Sequence, residues 1–479
     1  MIYQALFDRV KEPLTVRAAL VGAGDFGTTI VTESAYIDRL EISAVADIDL
    51  AAAISAYRKA GRAEEDIVVC DSHASARQAF DAGKAVVVRD ASLLMELPVD
   101  VITSATRVPE VGARCAYEAI QHGKHVVLVD KETDSVVAPI LKHLADQAGL
   151  VFTTDDGDEP GLLMGLVSWA RTLGMEVLCG GNIDHCLYDP ASATVTKNVE
   201  GAPMTFHIAP EDRWALEPIP GGEAQRYAAA RARIFAALIP YKETGDPVAH
   251  MSLAVNGTGL MPDISGVHRP VARFVELPEI LCPVEDGGIL EGRGVIEQPI
   301  ILRTADQPHG GGGIFIVVTH KDETSRAKMI QKGLHANKKK TAMLMFRPYH
   351  LCGAETAMSI LCAGLLRVPT GSSTILPRVD IIAWAMRDFK KGETIGVQES
   401  TLAFGFSRDF RTVMAPAQPI GGGKPLPYFM LYGNRLAKNI PAGALITCDM
   451  IERPQDSVLW MLRELQDAHF FGEQRGAVS

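Results

Sequence analysis

Seven short apolar runs rich in β-branched residues, Ala18–Val21, Ile42–Ala46, Ile67–Val69, Ala85–Val88, Val99–Ser104, Val126–Val129 and Val151–Thr154, alternate with stretches of helical composition. This alternation restricts the first part of the chain severely. Each run has the length of a buried strand, and each intervening stretch is long enough to cross back over a sheet. A parallel sheet wound with helices on both faces satisfies the pattern, an α/β fold of the doubly wound Rossmann type. The charged stretch Arg58–Asp66 and the alanine-rich stretch His73–Ala82 read as helical decoration on that sheet.

The first strand-to-helix junction carries Val21-Gly22-Ala23-Gly24-Asp25-Phe26-Gly27. Gly22 permits the tight turn, Gly24 lets backbone approach a pyrophosphate, and Gly27 lets the helix close onto the sheet. The helix N-terminus then offers N–H groups and positive dipole to the phosphates. The second run ends in Asp47, whose carboxylate suits ribose hydroxyls and repels a 2′-phosphate. The expected cofactor is therefore NAD in preference to NADP, with Asp49 as the other acid that could make the contact.

After Thr154 the pattern changes. Leu162–Leu173 has helical spacing, Met175–Cys179 reads as a strand leading into Gly180-Gly181, and Glu223–Leu238 reads as helix among polar loops and glycine turns. From about Pro377, Val379–Ala385, Gly392–Ile395, Pro427–Tyr432 and Ala444–Thr447 read as short strands, and Ser457–Phe471 as a closing helix. The expected division is a dinucleotide-binding domain over 1–156, a central α+β substrate and dimerisation domain over 157–376, a small β domain over 377–455, and a helix with tail over 456–479. A chain of 479 residues needs more than one core.

Composition excludes several classes. A formal charge of −11 argues against a nucleic-acid partner, and no apolar window reaches the roughly 18 residues of a membrane span. The eight cysteines form no Cys-x-x-Cys pair, so neither a metal site nor a disulfide framework is expected. With no secretory pattern at Met1–Pro13, a cytoplasmic location is expected.

Several segments together resemble one family: Val21–Gly27, Arg107–Gly112, Gly157–Pro160, Gly257–Ile264 and Arg347–Leu351. They are similar to the deoxyxylulose-phosphate-reductoisomerase-like oxidoreductases, whose first domain is similar to homoserine dehydrogenases and which carry an SAF-type β-clip domain. The resemblance runs from about Arg17 to Gln466 and implies an NAD(P)-dependent oxidoreductase, a small-molecule substrate and a homodimer or higher homo-oligomer. One stretch departs from the pattern. Where those proteins have two lysines and two asparagines suited to a phosphate, this chain has Gly180-Gly181-Asn182-Ile183-Asp184-His185-Cys186. A phosphate would lose two cations and meet a carboxylate.

Hydride transfer to a carbonyl needs a proton donor or cation near the nicotinamide. Lys131 follows the sixth run, where the ring is expected, in an Asp-Lys-Glu setting that resembles homoserine dehydrogenases and the glucose-fructose oxidoreductase group. A surface lysine flanked by acids is the plain alternative. Asp184 and His185 are the other catalytic candidates, although adjacent strand residues face opposite sides. The expected cofactor contacts are Gly22, Gly24, Asp25, Phe26, Gly27, Asp47, Thr106 and Glu159, with helix capping by Asp158 or Glu159 as the alternative for the last. The expected substrate contacts are Asn182, Asn256, Asp263, Arg347 and His350; Asn256, Thr258 and Asp263 fall in a glycine-punctuated loop with His268 shortly after. Arg347 could instead serve a structural ion pair. Three other functions compete with simple hydride transfer between nicotinamide and a small polar hydroxy or keto substrate, sugar-derived or a hydroxy acid: an NAD-retaining isomerase, lyase or decarboxylase; reductoisomerase activity; and a non-enzymatic NAD sensor.

Overall fold

The computed structural model describes residues 2–12, 14–199, 202–236, 245–309, 311–396 and 409–472. The chain divides into two compact units, one of residues 1–161 and 351–479 and the other of residues 162–350.

The first unit is built on seven strands: β1 Val16–Val21, β2 Leu40–Ala46, β3 Ile67–Cys70, β4 Ala85–Val88, β5 Val101–Ser104, β6 His125–Leu128 and β7 Phe152–Thr154. Their order is β3-β4-β2-β1-β5-β6-β7, and every neighbouring pair is parallel. All seven coincide with the apolar runs of the sequence. The helices of this unit include α1 Ile2–Phe7, which precedes β1, and the connecting helices α2 Asp25–Ser34, α3 Leu50–Lys59, α4 His73–Asp81, α5 Pro109–Gln121 and α6 Lys131–Gln147. From β1 the chain turns to β2 on one side and later returns to β5 on the other. The crevice at the carboxyl ends of β1 and β5 is thus a topological switch point, the usual ligand position in such sheets.

Val16, Ala18, Leu20, Ile42, Val45, Val101 and Val127 form the core of this unit, joined by Ile360, Leu361, Ala363 and Leu365. Residues 351–376, which the sequence division groups with the central segment, therefore lie with the dinucleotide fold. An apolar helical stretch does not say which core it fills. The small β region retains one two-stranded antiparallel pair, Val379–Ala385 with Phe410–Pro416. The expected strands at 392–395 and 444–447 are isolated bridges, and Tyr428–Leu431 is a 3-10 turn, because closely spaced prolines and glycines interrupt the ladders. The last helix, Val458–Phe471, is tied to the body by Arg463, buried between Asp380 and Asp467.

The second unit centres on β8 Glu176–Asp189, which continues through the glycine pair expected to end it. A Cβ at Gly181 would fall on the Glu297 carbonyl oxygen, and one at Gly180 would press Ile316 and Leu260. The glycines permit close approach of a neighbouring backbone rather than a turn. Helix α7 Glu159–Thr172, within which the unit division falls, precedes β8. β8 pairs antiparallel with β9 Thr194–Val199, which pairs with β10 Ala202–His207. Helices α8 Ala224–Ile234 and α9 Gly245–Thr258 follow, then β11 Val271–Ala272, α10 Leu277–Ile280, β12 Val295–Ile296, β13 Ile300–Arg303 and β14 Gly313–Thr319. After α11 Glu323–Gln331, β15 His335–Ala336 and β16 Met343–Arg347 complete the sheet.

Candidate active site

In the first unit the glycine turn has the stereochemistry its sequence demands. Gly22 lies at φ +98°, and a Cβ there would stand 2.6 Å from the Ala105 carbonyl oxygen after β5. Gly27 closes α2 against the Gly22 carbonyl, where a Cβ could not fit. Gly24, the N-cap of α2, has nothing within 4 Å of the position a Cβ would take. Two glycines are consumed by packing, and the third leaves backbone open at a helix N-terminus. Asp25 is exposed at the first helical position, and Phe26 packs partly against the core.

Asp47 Oδ2 accepts from the Ala23 amide at 2.6 Å, and its Oδ1 from the Asp49 amide at 2.7 Å. Two oxygens with about four acceptor sites leave this carboxylate capacity for further donors. Asp49 accepts from the Ala51 amide and caps α3. Arg89 donates to the Ile48 carbonyl on the same loop.

Beside the switch point, the loop after β5 is fastened to the loop after β6 by the buried Asp130. Ser104 Oγ, Thr106 Oγ1 at 3.2 Å and the Arg107 amide at 2.7 Å all donate to its carboxylate. Burial pushes Asp130 up to about 6 against the pull of those donors. Lys131 is the first residue of α6; its side chain is 13% exposed and its Nζ lies 3.9 Å from Glu132 Oε1. The plain reading of Lys131 as a surface lysine does not fit that burial. Arg107 Nε is 3.2 Å from the same Glu132 oxygen. Further in, burial holds Asp134 well above the usual carboxylate range and pushes Asp155 up to about 8. Thr154 donates to Asp134, and Thr356 to Asp155. Sequence reasoning missed these buried acids. Their signal was available: Asp130 and Asp155 each stand just beyond an apolar strand. Glu159 opens α7, is buried, and donates its amide to Asp158 Oδ1 at 2.8 Å, the local pattern of a helix start.

In the second unit Asn182 and Arg347 lie on β8 and β16, each opposite Ile314 of the strand between them, so they share one face of the sheet. The Arg347 guanidinium stacks on Tyr349, 4.7 Å from the ring centroid, and His350 Nδ1 contacts the Gly312 carbonyl. Asp184 is held between Lys197 Nζ and Arg269 Nη2, the latter at 2.8 Å. A carboxylate flanked by two cations is a counter-ion and a hydrogen-bond acceptor more than a proton donor. The His185 ring lies against that of His309, centroids 4.2 Å apart and planes tilted by 58°, and burial with that neighbour pushes His185 down to about 4. Asp263 accepts from the Glu291 and Gly292 amides, which is turn chemistry. His268 bonds Glu297 at 2.7 Å, a contact that raises its pKa. Glu297, another residue missed from sequence, is fully buried and also receives the Arg269 amide.

Asn256 is not in a loop. It is buried in the last turn of α9, with Thr258 Oγ1 donating to the Ala254 carbonyl. The flanking glycines suggested a turn, but Gly257 lies within the helix, with the Met164 side chain packed where its Cβ would be. Among the described residues no group of three or more His, Cys, Asp or Glu is placed to hold a metal ion, and no helix is long and apolar enough to cross a membrane.

Residues 157–356 match the family model described as oxidoreductase DRL, catalytic domain. No curated protein sequence matches the chain. Among solved structures, scyllo-inositol dehydrogenase from Lactobacillus casei with bound NAD(H) and scyllo-inositol is similar at 16% identity, over 36% of this chain and 46% of that one, with a TM-score of 0.25. UDP-N-acetylglucosamine 3-dehydrogenase from Acidithiobacillus ferrooxidans shares 16% identity over 37% of this chain and 50% of its own, TM-score 0.25. An oxidoreductase from Agrobacterium radiobacter, solved with NAD+, L-tartaric acid and magnesium, shares 14% identity over 37% and 46%, TM-score 0.26. The chain thus spans half or less of the length of these structures. Likenesses of that extent bear on no functional argument. The family-model match does: residues 157–356 are similar to the catalytic domain of an oxidoreductase family.

Proposed function

We propose that this protein is an oxidoreductase that uses a nicotinamide dinucleotide, NAD in preference to NADP, to interconvert a small polar hydroxy compound and its keto counterpart. The observation that carries the reading is the glycine turn at the switch point, where Gly22 and Gly27 are locked by packing while Gly24 leaves open backbone at a helix N-terminus. Gly22, Gly24, Asp25, Phe26 and Gly27 would hold the pyrophosphate, Asp47 the ribose, and Thr106 and Glu159 the nicotinamide half. The bound dinucleotide supplies or accepts the hydride. Lys131 donates a proton to the carbonyl oxygen in reduction and takes one from the alcohol in oxidation. Its partial burial strengthens the electrostatic effect of the ammonium on a developing oxyanion.

Substrate contacts are proposed on the second unit. Asn182, Arg347 and His350 cluster at one end of its sheet, and Asp184 and His185 follow on β8. Asp184 acts in this reading as a hydroxyl acceptor held by Lys197 and Arg269, and His185 as a neutral hydrogen-bonding group. Asp263 supports the adjoining turn and Asn256 the helix behind it. A homodimer or higher homo-oligomer completes the proposal.

One observation favours a second cofactor reading. Arg89 reaches the carbonyl next to Asp47, and such a cation could receive a 2′-phosphate. Fluorescence titration of the full chain with NADH and NADPH decides between them. Tighter NADH supports NAD, and failure of both to bind removes the proposal. A Lys131→Met variant that binds NADH normally and retains full turnover, once a polyol and keto-acid screen supplies a substrate, removes the role of the lysine.

A further inference from the structure

Glu132 is a carboxylate that stands against both Lys131 and a second cation. Its Oε1 lies 3.2 Å from Arg107 Nε and 3.9 Å from Lys131 Nζ, while its buried Oε2 has no hydrogen-bond partner among the described residues. The arginine is fixed from behind. Its backbone is in the left-handed region at φ +60°, which residues other than glycine seldom adopt, and the Asp130 carboxylate holds its amide at 2.7 Å. Asp130 in turn fastens Ser104 and Thr106, so the direction in which Arg107 leaves the loop is set by three hydrogen bonds.

We propose that Arg107 and Glu132 are positioning residues that set how firmly Lys131 holds its proton, because one buried carboxylate is shared between a fixed guanidinium and a titrating ammonium. A guanidinium stays charged at any working pH, so Arg107 occupies Glu132 permanently. With Glu132 alone beside it, the ammonium would be stabilised and slow to give up its proton. With Arg107 alone, it would be repelled. The shared arrangement puts Lys131 between these limits, as a group that gives and regains a proton each cycle requires. The other acids of this turn are Asp130 and Asp134, with Asp155 beyond them. Burial raises all three, Asp130 to about 6, Asp155 to about 8 and Asp134 well above the usual carboxylate range, whereas the Arg107 guanidinium keeps its charge throughout.

The inference rests on the proposed role of Lys131, but its test needs neither cofactor nor substrate. Lysines of the full chain are reductively methylated with 13C-formaldehyde, the Lys131 resonance is assigned by its loss in Lys131→Arg, and its titration is followed by NMR. Glu132→Gln lowers the midpoint by about one pH unit or more, and Arg107→Met raises it, since an opposite charge at this range typically shifts a pKa by about 1–3 units. Arg107→Lys, which keeps the charge, restores most of the wild-type midpoint. Midpoints that move in the same direction in the first two variants, or stay within about 0.3 units of wild type, overturn the proposal. If Arg107→Met does not fold, the contrast between Glu132→Gln and Arg107→Lys decides alone: a large fall in the first and little change in the second. NADH titration of the same samples reads the cofactor proposal separately.

Discussion

Replacing Gly24 by alanine separates nucleotide binding from folding. Gly24 sits at φ −65° and ψ −166°, a conformation open to alanine, and nothing lies within 4 Å of the new methyl group. Alanine is a poorer N-cap than glycine, but it restricts the unfolded chain, and these effects offset to within about 1 kcal/mol. The methyl group instead occupies the space through which a pyrophosphate would approach the backbone. Overpacking of that kind costs about 1–3 kcal/mol, which corresponds to roughly 5- to 150-fold weaker NADH binding. NADH fluorescence titration beside calorimetry of the same samples gives both quantities. Gly27→Ala is the control: its Cβ meets the Gly22 carbonyl, so backbone must shift and thermal stability should fall. A Gly24→Ala protein that binds NADH as tightly as wild type at unchanged stability refutes the cradle.

Four further outcomes follow from the structure. Asp47→Ser removes the carboxylate that repels a 2′-phosphate and should shift the NADPH-to-NADH affinity ratio toward NADPH by about tenfold, read by paired titrations. Asp155 has a folded pKa of about 8 against a usual 3.8, so its contribution to stability is complete below pH 3.8 and is lost as pH rises through about 8. Asp155→Asn, which still accepts from Thr356, should therefore match wild type near pH 4 and gain on it progressively toward pH 9 in urea midpoints. Arg463→Met strands the buried Asp380 and Asp467 and should cost about 3–5 kcal/mol, seen as a lower calorimetric midpoint with NADH affinity retained. Lys131→Met should leave NADH binding within about twofold and reduce turnover by roughly 10²- to 10⁴-fold.

The dinucleotide fold was legible because its information is local. Each of the seven strands is a short apolar run, and Gly22 and Gly27 of the first turn answer steric requirements at their own positions. The second unit was less legible because its determinants are long-range. Gly180 and Gly181 look like a turn until the Glu297 backbone is placed against them, and Gly257 looks like a loop until Met164 fills its missing side chain. Ile360, Leu361 and Leu365 belong to the first core although some two hundred residues separate them from β7, and periodicity alone does not identify a helix's partner. The buried acids Asp130 and Asp155 escaped for a related reason. An acid after a strand reads as a polar loop residue until the folded chain removes it from water.

The central claim is that the turn from Gly22 to Gly27 holds a nicotinamide dinucleotide with Lys131 beside its reactive ring. A crystal structure of the full chain with NAD+ tests it most directly. The account predicts pyrophosphate density over the Gly24 amide, ribose hydroxyls on Asp47, and the nicotinamide within reach of Lys131 Nζ. Dinucleotide bound elsewhere, or bound at the turn with its ring directed away from Lys131, would contradict it.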